Sequence, residues 1–294
     1  MGLFAQLTVN GLIAGSIYAL VASGFSLIYG TNKFMHFAHG ISVAVAGYIL
    51  YGAFTLYGLN FYLAVLLTLS ASGIFGLAIY RLIYLPLQNR NASNVVLLIA
   101  SIGILIFFEN IIQVIFGADV KVIGFLEVSE GLSYFGATAT PLQIIIIITS
   151  LILFIALQFF MKKTKLGRDM RAVADNRDLA EIVGINYKKV ASYSFIMGSV
   201  LAGIAGILIS LEQNLSPVMG TPLIIKGFTG AVIGGITSVP ASVLGSYILG
   251  LAENYGVWFL PSGFKDAIAF GLLFLFLLFR PNGLFGLNRG AKNA

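Results

Sequence analysis

The sequence predicts an all-α, polytopic transmembrane helix bundle with eight or nine spanning segments. Three observations carry this expectation. The chain has 294 residues, of which 59% are hydrophobic and only 10% charged. Its mean hydropathy is +0.97, a balance foreign to soluble globular domains. Its apolar runs repeatedly approach the ~20 residues a helix needs to cross hydrocarbon, and its 34 glycines suit close helix–helix contact in lipid. The alternating short strands of a membrane barrel are not found. The absence of Cys excludes a disulfide framework and a thiolate metal site. The formal charge of +6 reads as membrane orientation and not as nucleic-acid binding.

Taken in order, Met1 to Asn10 carries no charged side chain. A secretory leader would begin with a basic stretch, so the first apolar segment is expected to stay as a spanning helix. Leu12 to Tyr29 crosses, with a small-residue stripe at Gly11, Gly15, Ala19 and Ala22. His36 and His39 follow. Two histidines three apart share a helix face and could ligate a metal, but no Cys, Asp or Glu lies near them in sequence to complete a site. The plainer reading has His39 hydrogen-bonded to backbone at a helix start near the membrane surface. Ile41–Leu56 and Phe61–Leu82 are the next crossings, joined outside by the turn at Tyr57-Gly58-Leu59-Asn60. A polar loop between Arg81 and Arg90, with Pro86, faces the cytoplasm.

Val95 to Phe116 crosses back and contains Glu109 and Asn110. A carboxylate at membrane depth is costly, so it normally faces a partner or a wet cavity. Glu109 either lines the outer half of a pathway, where it would meet a cargo amino group, or is protonated or hydrogen-bonded to a neighbouring helix. Gly117 to Thr140, with Asp119, Lys121, Glu127 and Glu130, is too polar for lipid and lies outside. Ile144 to Phe160 crosses inward.

Residues 162–190 form the only long, densely charged segment. They hold Lys162, Lys163, Lys165, Arg168, Arg171, Arg177, Lys188 and Lys189, eight of the 17 basic side chains. A basic loop between two apolar runs belongs to the cytoplasm. Within it, Met170, Val173 and Ala174 recur at helical spacing, with Arg168, Arg171 and Asp175 turned away. Asn176 reads as the N-cap of a second short helix, with Asp178 in its first turn and Gly184 as its stop. Leu179, Ile182 and Val183 share a face of that helix. Such a helix suits either a groove on another protein or a bed of anionic headgroups, and composition does not choose between them.

Tyr193 to Leu211 returns outward, with Ser199, Gly203 and Gly206 as a close-packing face. Residues 226–240 are glycine-rich, too short for a full span before Pro240, and include Gly234 and Gly235. Interrupted helices at membrane depth are tolerated only inside protein or beside an aqueous cavity, and they often mark a transport pathway. Glu253 lies just beyond. Lys265 to Phe270 opens the last crossing, and Arg280, Arg289 and Lys292 hold the tail inside.

Four blocks of this chain carry a family likeness: the loop from Gly167-Arg168 through Arg171-Ala172 to Gly184-Ile185-Asn186; Phe37-Ala38-His39-Gly40, preceded by Gly15-Ser16-Ile17-Tyr18-Ala19-Leu20 and Ile28-Tyr29-Gly30; the glycine-rich run 226–240 with Gly250 and Glu253; and Arg280-Pro281-Asn282-Gly283-Leu284-Phe285-Gly286. Ala100-Ser101-Ile102-Gly103 and Asn110 agree as well. Together they resemble the branched-chain amino-acid permeases of ABC importers, of the type called LivH. His36 stands where Asn is usual, Glu109 where Gln is, and Thr237 and Ala241 where Gly is common. Asp178-Leu179-Ala180-Glu181 resembles the coupling motif Glu-Ala-Ala, with Gly184 at its end. The resemblance implies that residues 1–294 are one membrane permease domain in a bacterial inner membrane. It implies partners too: a second homologous permease, two cytoplasmic ATP-binding subunits and an extracytoplasmic solute-binding protein. Gly167, Arg168, Arg171, Asp178, Ala180, Glu181 and Gly184 would then couple to the ATPase. His39, Glu109, Asn110, Gly234, Gly235 and Glu253 would be the pathway candidates. Relatives of the family move urea, short amides or other amino acids.

The chain has no Gly-x-x-x-x-Gly-Lys-[Ser/Thr] phosphate loop, so ATP and Mg belong to partner subunits and no cofactor is expected here. No Ser/His/Asp or Cys/His arrangement points to an enzyme. The competing class is a secondary carrier or channel acting alone, with Glu109 or Glu253 coupled to ions. A non-transporting scaffold would leave the broken segment without a purpose.

Overall fold

The computed structural model describes residues 2–125, 131–134 and 136–285. Glu127, Glu130, Gly286, Arg289 and Lys292 lie outside the described residues. The bundle is helical, as the composition requires. It comprises α1 (Gly2–Asn32), α2 (His39–Leu50, continued by a π-helical turn Tyr51–Leu56), α3 (Phe61–Ile79, continued by a π turn Tyr80–Tyr84) and α4 (Leu85–Asn89). α5 (Asn94–Phe116), α6 (Pro141–Lys163), α7 (Lys165–Asp175), α8 (Arg177–Ile182) and α9 (Tyr187–Glu212) follow. α10 (Gly220–Gly234), α11 (Val239–Gly256) and α12 (Lys265–Phe279) complete it. Among the described residues seven helices are long and apolar enough to cross a membrane; α10 and α11 form a further, broken element bent by 113°.

α1 and α9 are the buried axis, and the outer helices turn apolar side chains outward. Ile148, Ile152, Ile155 and Phe159 of α6 and Phe274, Leu278 and Phe279 of α12 are exposed. Such a surface would be an aggregation hazard in water and is the normal exterior in lipid. The small-residue stripe of α1 meets α11: a side chain at Gly11 or Gly15 would strike the backbone of Leu251 or Tyr247. Ser16 and Thr8 add hydrogen bonds to the hydroxyls of Tyr247 and Tyr255, at 3.0 and 2.8 Å. The expected face on α9 is also filled, with Ser199 against Gly76, Gly203 against Ser72, and Gly206 against Val43 and Ala46.

One end of the bundle gathers the basic segments, and by the positive-inside rule it is the cytoplasmic end. Lys33 after α1, the loop after α4, and α7–α8 meet there, with Lys33 Nζ donating to the Ala174 carbonyl at 2.6 Å. At the opposite end a hairpin of β1 (Leu132–Tyr134) and β2 (Ala137–Ala139) lies against the start of α1. There Gln6 and the backbone of Thr138 exchange hydrogen bonds. The sequence reading held no such strands. α9 ends and α12 begins at this outer end, so the α10–α11 pair enters and returns to the side it left.

Two expectations need correcting. The stretch from Arg81 to Asn89 is not a loop: the helix continues through it as a π turn and then α4. Pro86 falls just after the widened π turn Tyr80–Tyr84, whose altered hydrogen bonding absorbs the missing N–H within the continuous helix. The chain breaks only at residues 90–93, with Asn91 left-handed at φ +55°. The second correction concerns His39. It does begin a helix, but not at the membrane surface. Its ring packs against Gly24, eight residues and about 12 Å from the cytoplasmic end of α1. Residues 33–38 therefore re-enter to half depth, and they are tolerated there because protein surrounds them.

Candidate functional site

The start of α10 lies as deep as the start of α2. The backbone carbonyl of Gly40 closes on Gly220 so tightly that neither position has room for a side chain. α10 is short because a turn over Ser216–Met219 delivers it, with Met219 N–H donating to the Ser216 carbonyl. Pro222 sits in its first turn, where proline is welcome. It ends at Gly235, φ +135°. There the returning tail caps it: the N–H groups of Leu284 and Phe285 donate to the carbonyls of Ile233 and Gly234 at 2.8 and 2.9 Å. Leu284 and Phe285 thus cap a helix other than their own, and Gly283, φ +74°, lets the tail close on Gly235.

Among the described residues the charged side chains at membrane depth are strung along this one helix. At its N-terminus, Thr221 Oγ1 donates to Glu109 Oε1 at 2.6 Å, which places the carboxylate beside the positive end of the helix dipole. In its middle, Lys226 Nζ lies 3.5 Å from Glu253 Oε1 and 2.9 Å from Asp266 Oδ1. The Tyr18 hydroxyl donates to Glu253 Oε2 at 2.8 Å, and Lys226 Nζ donates to that hydroxyl at 3.2 Å. Glu253 is fully buried, and Asp266 is mostly exposed at the outer end of α12. A cavity of about 200 Å³ reaches the cluster from the outer end, between Tyr18, Gln213, Asn214, Pro222 and Lys226.

Four of the six pathway candidates therefore touch α10 or belong to it: Glu109 at its start, Glu253 at its middle, Gly234 and Gly235 at its end. The structure does not gather them into one pocket. His39 is packed between helices beside Gly24. Asn110 is exposed on the outside of α5 and bonds the Ile106 carbonyl of its own helix. Among the described residues no group of three or more His, Cys, Asp or Glu side chains is placed to hold a metal ion. Lys226, Tyr18 and Asp266 were missed as partners. The signal available was Lys226 itself, a cation inside an apolar run, which calls for a carboxylate somewhere in the bundle.

The basic segment builds the second site. Thr164 caps α7 by accepting from Gly167 N–H at 3.0 Å. Gly167 is where α7 folds back on α6, and a side chain there would collide with Phe160 and Met161. Met170 and Val173 are buried as the spacing predicts. Asn176 caps α8, accepting from Leu179 N–H at 3.1 Å. The helix stops at Gly184, φ +87°, where Gly184 N–H donates to the Glu181 carbonyl and Ile185 N–H to that of Ala180. This is the double bond pattern of a Schellman stop, which needs the left-handed residue that glycine supplies. Ala180 is buried, while Leu179, Ile182 and Val183 are 59, 78 and 75% exposed. Arg177 pairs with Glu181 at 3.2 Å and lies 3.6 Å over the Tyr187 ring. Tyr187 OH donates to Asn32 Oδ1 at 3.2 Å, and Asn32 Nδ2 to Ser194 Oγ at 3.2 Å. Arg168, Arg171 and Asp178 are exposed.

Residues 7–278, from the second turn of α1 to the last turn of α12, match the family described as branched-chain amino acid transport system / permease component. The chain belongs to that family. The permease is 35% identical to the high-affinity branched-chain amino acid transport system permease protein BraD of Pseudomonas aeruginosa, over 96% of each chain. It is 31% identical to the corresponding LivH of Escherichia coli, again over 96% of each. Among solved structures, PsaBC from Streptococcus pneumoniae in complex with Fab superposes with a TM-score of 0.51 at 16% identity, covering 93% of the permease and 91% of that chain. This likeness concerns the fold alone. The family match takes in every membrane element and the whole of α7–α8.

Proposed function

We propose that this permease is one membrane subunit of an ATP-binding-cassette importer for branched-chain amino acids in a bacterial inner membrane. It would work with a second, homologous permease, two cytoplasmic ATP-binding subunits that bind and hydrolyse ATP with Mg, and an extracytoplasmic binding protein. The observation that carries this reading is α8: three large apolar side chains stand in solvent on a helix capped at both ends, beside charged neighbours. A loop resting on headgroups is the alternative. An end-capped two-turn helix anchored from beneath by Ala180 and Tyr187 is better suited to seat in a protein groove. The names of the relatives support the cargo.

In this reading the ATPase dimer moves α8. Tyr187 and Asn32, with Lys33 bonded to the Ala174 carbonyl of α7, pass the movement to α1 and α9. The ion pair of Lys226 with Asp266 of α12 then breaks or re-forms, opening the Lys226 vestibule outward or closing it. Such a switch requires contacts that differ between the two states, and the ion pairs of Lys226 are of that kind. The test is reconstitution in liposomes. The assembled importer with its binding protein should take up leucine only with ATP inside. Uptake by this chain alone, driven by an ion gradient, would overturn the proposal.

A further inference from the structure

A cavity of about 240 Å³ opens at the cytoplasmic end between α1, α6, α7 and the turn before α11. Its wall carries two cations, Lys162 and Arg171, with Gln158 and the hydroxyl residues Thr31 and Ser238. Neither Lys162 nor Arg171 is ion-paired with a carboxylate among the described residues. A second, apolar groove of about 390 Å³ adjoins it along the outer surface of α6 and α11. The two share Gln158, Val239 and Pro240. The groove continues over Phe154, Ile155, Val243 and Leu244, of which Ile155 and Leu244 are exposed large apolar side chains.

We propose that this composite site holds one anionic phospholipid of the inner leaflet, its phosphate in the Lys162–Arg171 cavity and an acyl chain in the α6–α11 groove. The order of the parts argues for a lipid. Lys162 lies in the last turn of α6, at its cytoplasmic end, and Arg171 in the middle of α7, which folds back beneath it. The groove runs from there toward the bilayer centre, since Ile155 is seven residues, about 10 Å, above Lys162 on α6. Basic pockets between helices on the cytoplasmic side are a recognised setting for anionic headgroups. A soluble anion would use the cavity and leave the groove without purpose. The site also touches Thr237 and Ser238 at the α10–α11 break, so a lipid seated there would rest against the joint of the broken element.

The test is native mass spectrometry of the intact importer, released from membranes and from nanodiscs containing phosphatidylglycerol or only phosphatidylcholine. One anionic phospholipid per copy of this chain should survive delipidation that strips phosphatidylcholine. Lys162→Gln with Arg171→Gln should weaken its retention about thirtyfold, at about fivefold per charge. Leu244→Trp, which fills the groove and leaves both cations, should also lower retention. Equal retention of both lipids, or anionic retention unchanged in both variants, would overturn the proposal. So would displacement by millimolar inorganic phosphate with no effect of Leu244→Trp, which would identify a free anion. Crosslinks placing the second permease over Leu244 would likewise overturn it. The readout is bound lipid, so it is independent of the cargo.

Discussion

Replacing Lys226 by Met tests whether the cluster on α10 is a set of mutually dependent charges. Among the described residues Lys226 is the one cation ion-paired with Glu253, which is fully buried. With the lysine gone, Glu253 keeps the Tyr18 hydroxyl. Removing one member of a buried ion pair costs about 3–5 kcal/mol, because the other charge is left stranded. The surviving bond from Tyr18, a hydrogen bond to a charged group worth about 1.5–3 kcal/mol, argues for the lower end, about 3 kcal/mol. Asp266 contributes little to this figure. Its side chain is 65% exposed, and exposed pairs are worth about 0–1 kcal/mol. Lys226→Met with Glu253→Leu removes both charges, and replacing a buried pair by apolar groups is often neutral. The double variant should therefore be at least about 2 kcal/mol more stable than the sum of the single changes predicts. Equilibrium unfolding in mixed detergent micelles, run as a double-mutant cycle with Asp266→Asn as a third arm, measures this. A wild-type unfolding midpoint for Lys226→Met, or a coupling energy below about 0.5 kcal/mol, would refute the reasoning.

Other changes probe α8 and the helix seam. Ile182→Asp should leave membrane insertion and stability unchanged within about 0.5 kcal/mol, because the side chain is 78% exposed, while copurification of the ATPase subunit is lost in affinity pull-down. Gly184→Val meets no atom within 4 Å, so its cost is conformational, about 1–2 kcal/mol for a left-handed residue. Substrate-stimulated ATPase activity should fall while the amount of protein in the membrane stays the same. Gly250→Val places a Cβ 2.6 Å from the carbonyl of Gly11 and the nitrogen of Gly15. It should destabilise by about 1–3 kcal/mol through overpacking, whereas Gly271→Val on α12, with nothing within 4 Å, should be neutral in the same unfolding assay.

What could be read in the sequence follows from the range of the interactions involved. The caps of α8 at Asn176 and Gly184 are local, since donor and acceptor lie within a few residues, and residue types announce them. The burial of Met170 and Val173 follows from helical period, and the break before Pro240 from composition. The partners of Lys226 come from α1, α11 and α12. Tyr18 lies 208 residues away in sequence, and no local pattern encodes that meeting. The re-entry at residues 33–38 was hidden for a related reason. The chain there is apolar enough to pass for a loop at the membrane edge, and only the packing of His39 against Gly24 fixes its depth. The continuation of α3 through Arg81 misled in the opposite sense, since charge and Pro86 read as loop signals while a π turn absorbs both.

These contacts restrict how work done on α8 can reach the interior. α8 is tied to α1 and α9 through Arg177, Tyr187, Asn32 and Ser194, and α7 to α1 through Lys33. α1 cannot slide along α11 without separating the backbones at Gly11, Gly15 and Gly250 and the hydroxyl bonds of Tyr247 and Tyr255. α1 and α11 therefore move as a pair or hardly at all. α10 is locked to the same pair. Gly230 and Gly234 close on Ser246 and the Ala241 carbonyl of α11, Gly245 of α11 closes on the Gly230 carbonyl, and Gly227 closes on Val21 and Ala22 of α1. Interlocked backbones resist sliding, so α1, α10 and α11 are held as one unit. The contacts that can be exchanged lie at its margin: the bond from Thr221 to Glu109 of α5 and the ion pair of Lys226 with the mostly exposed Asp266 of α12. An exposed ion pair is cheaper to rearrange than a packed seam, so a displacement that reached this unit would be taken up where it meets α5 and α12.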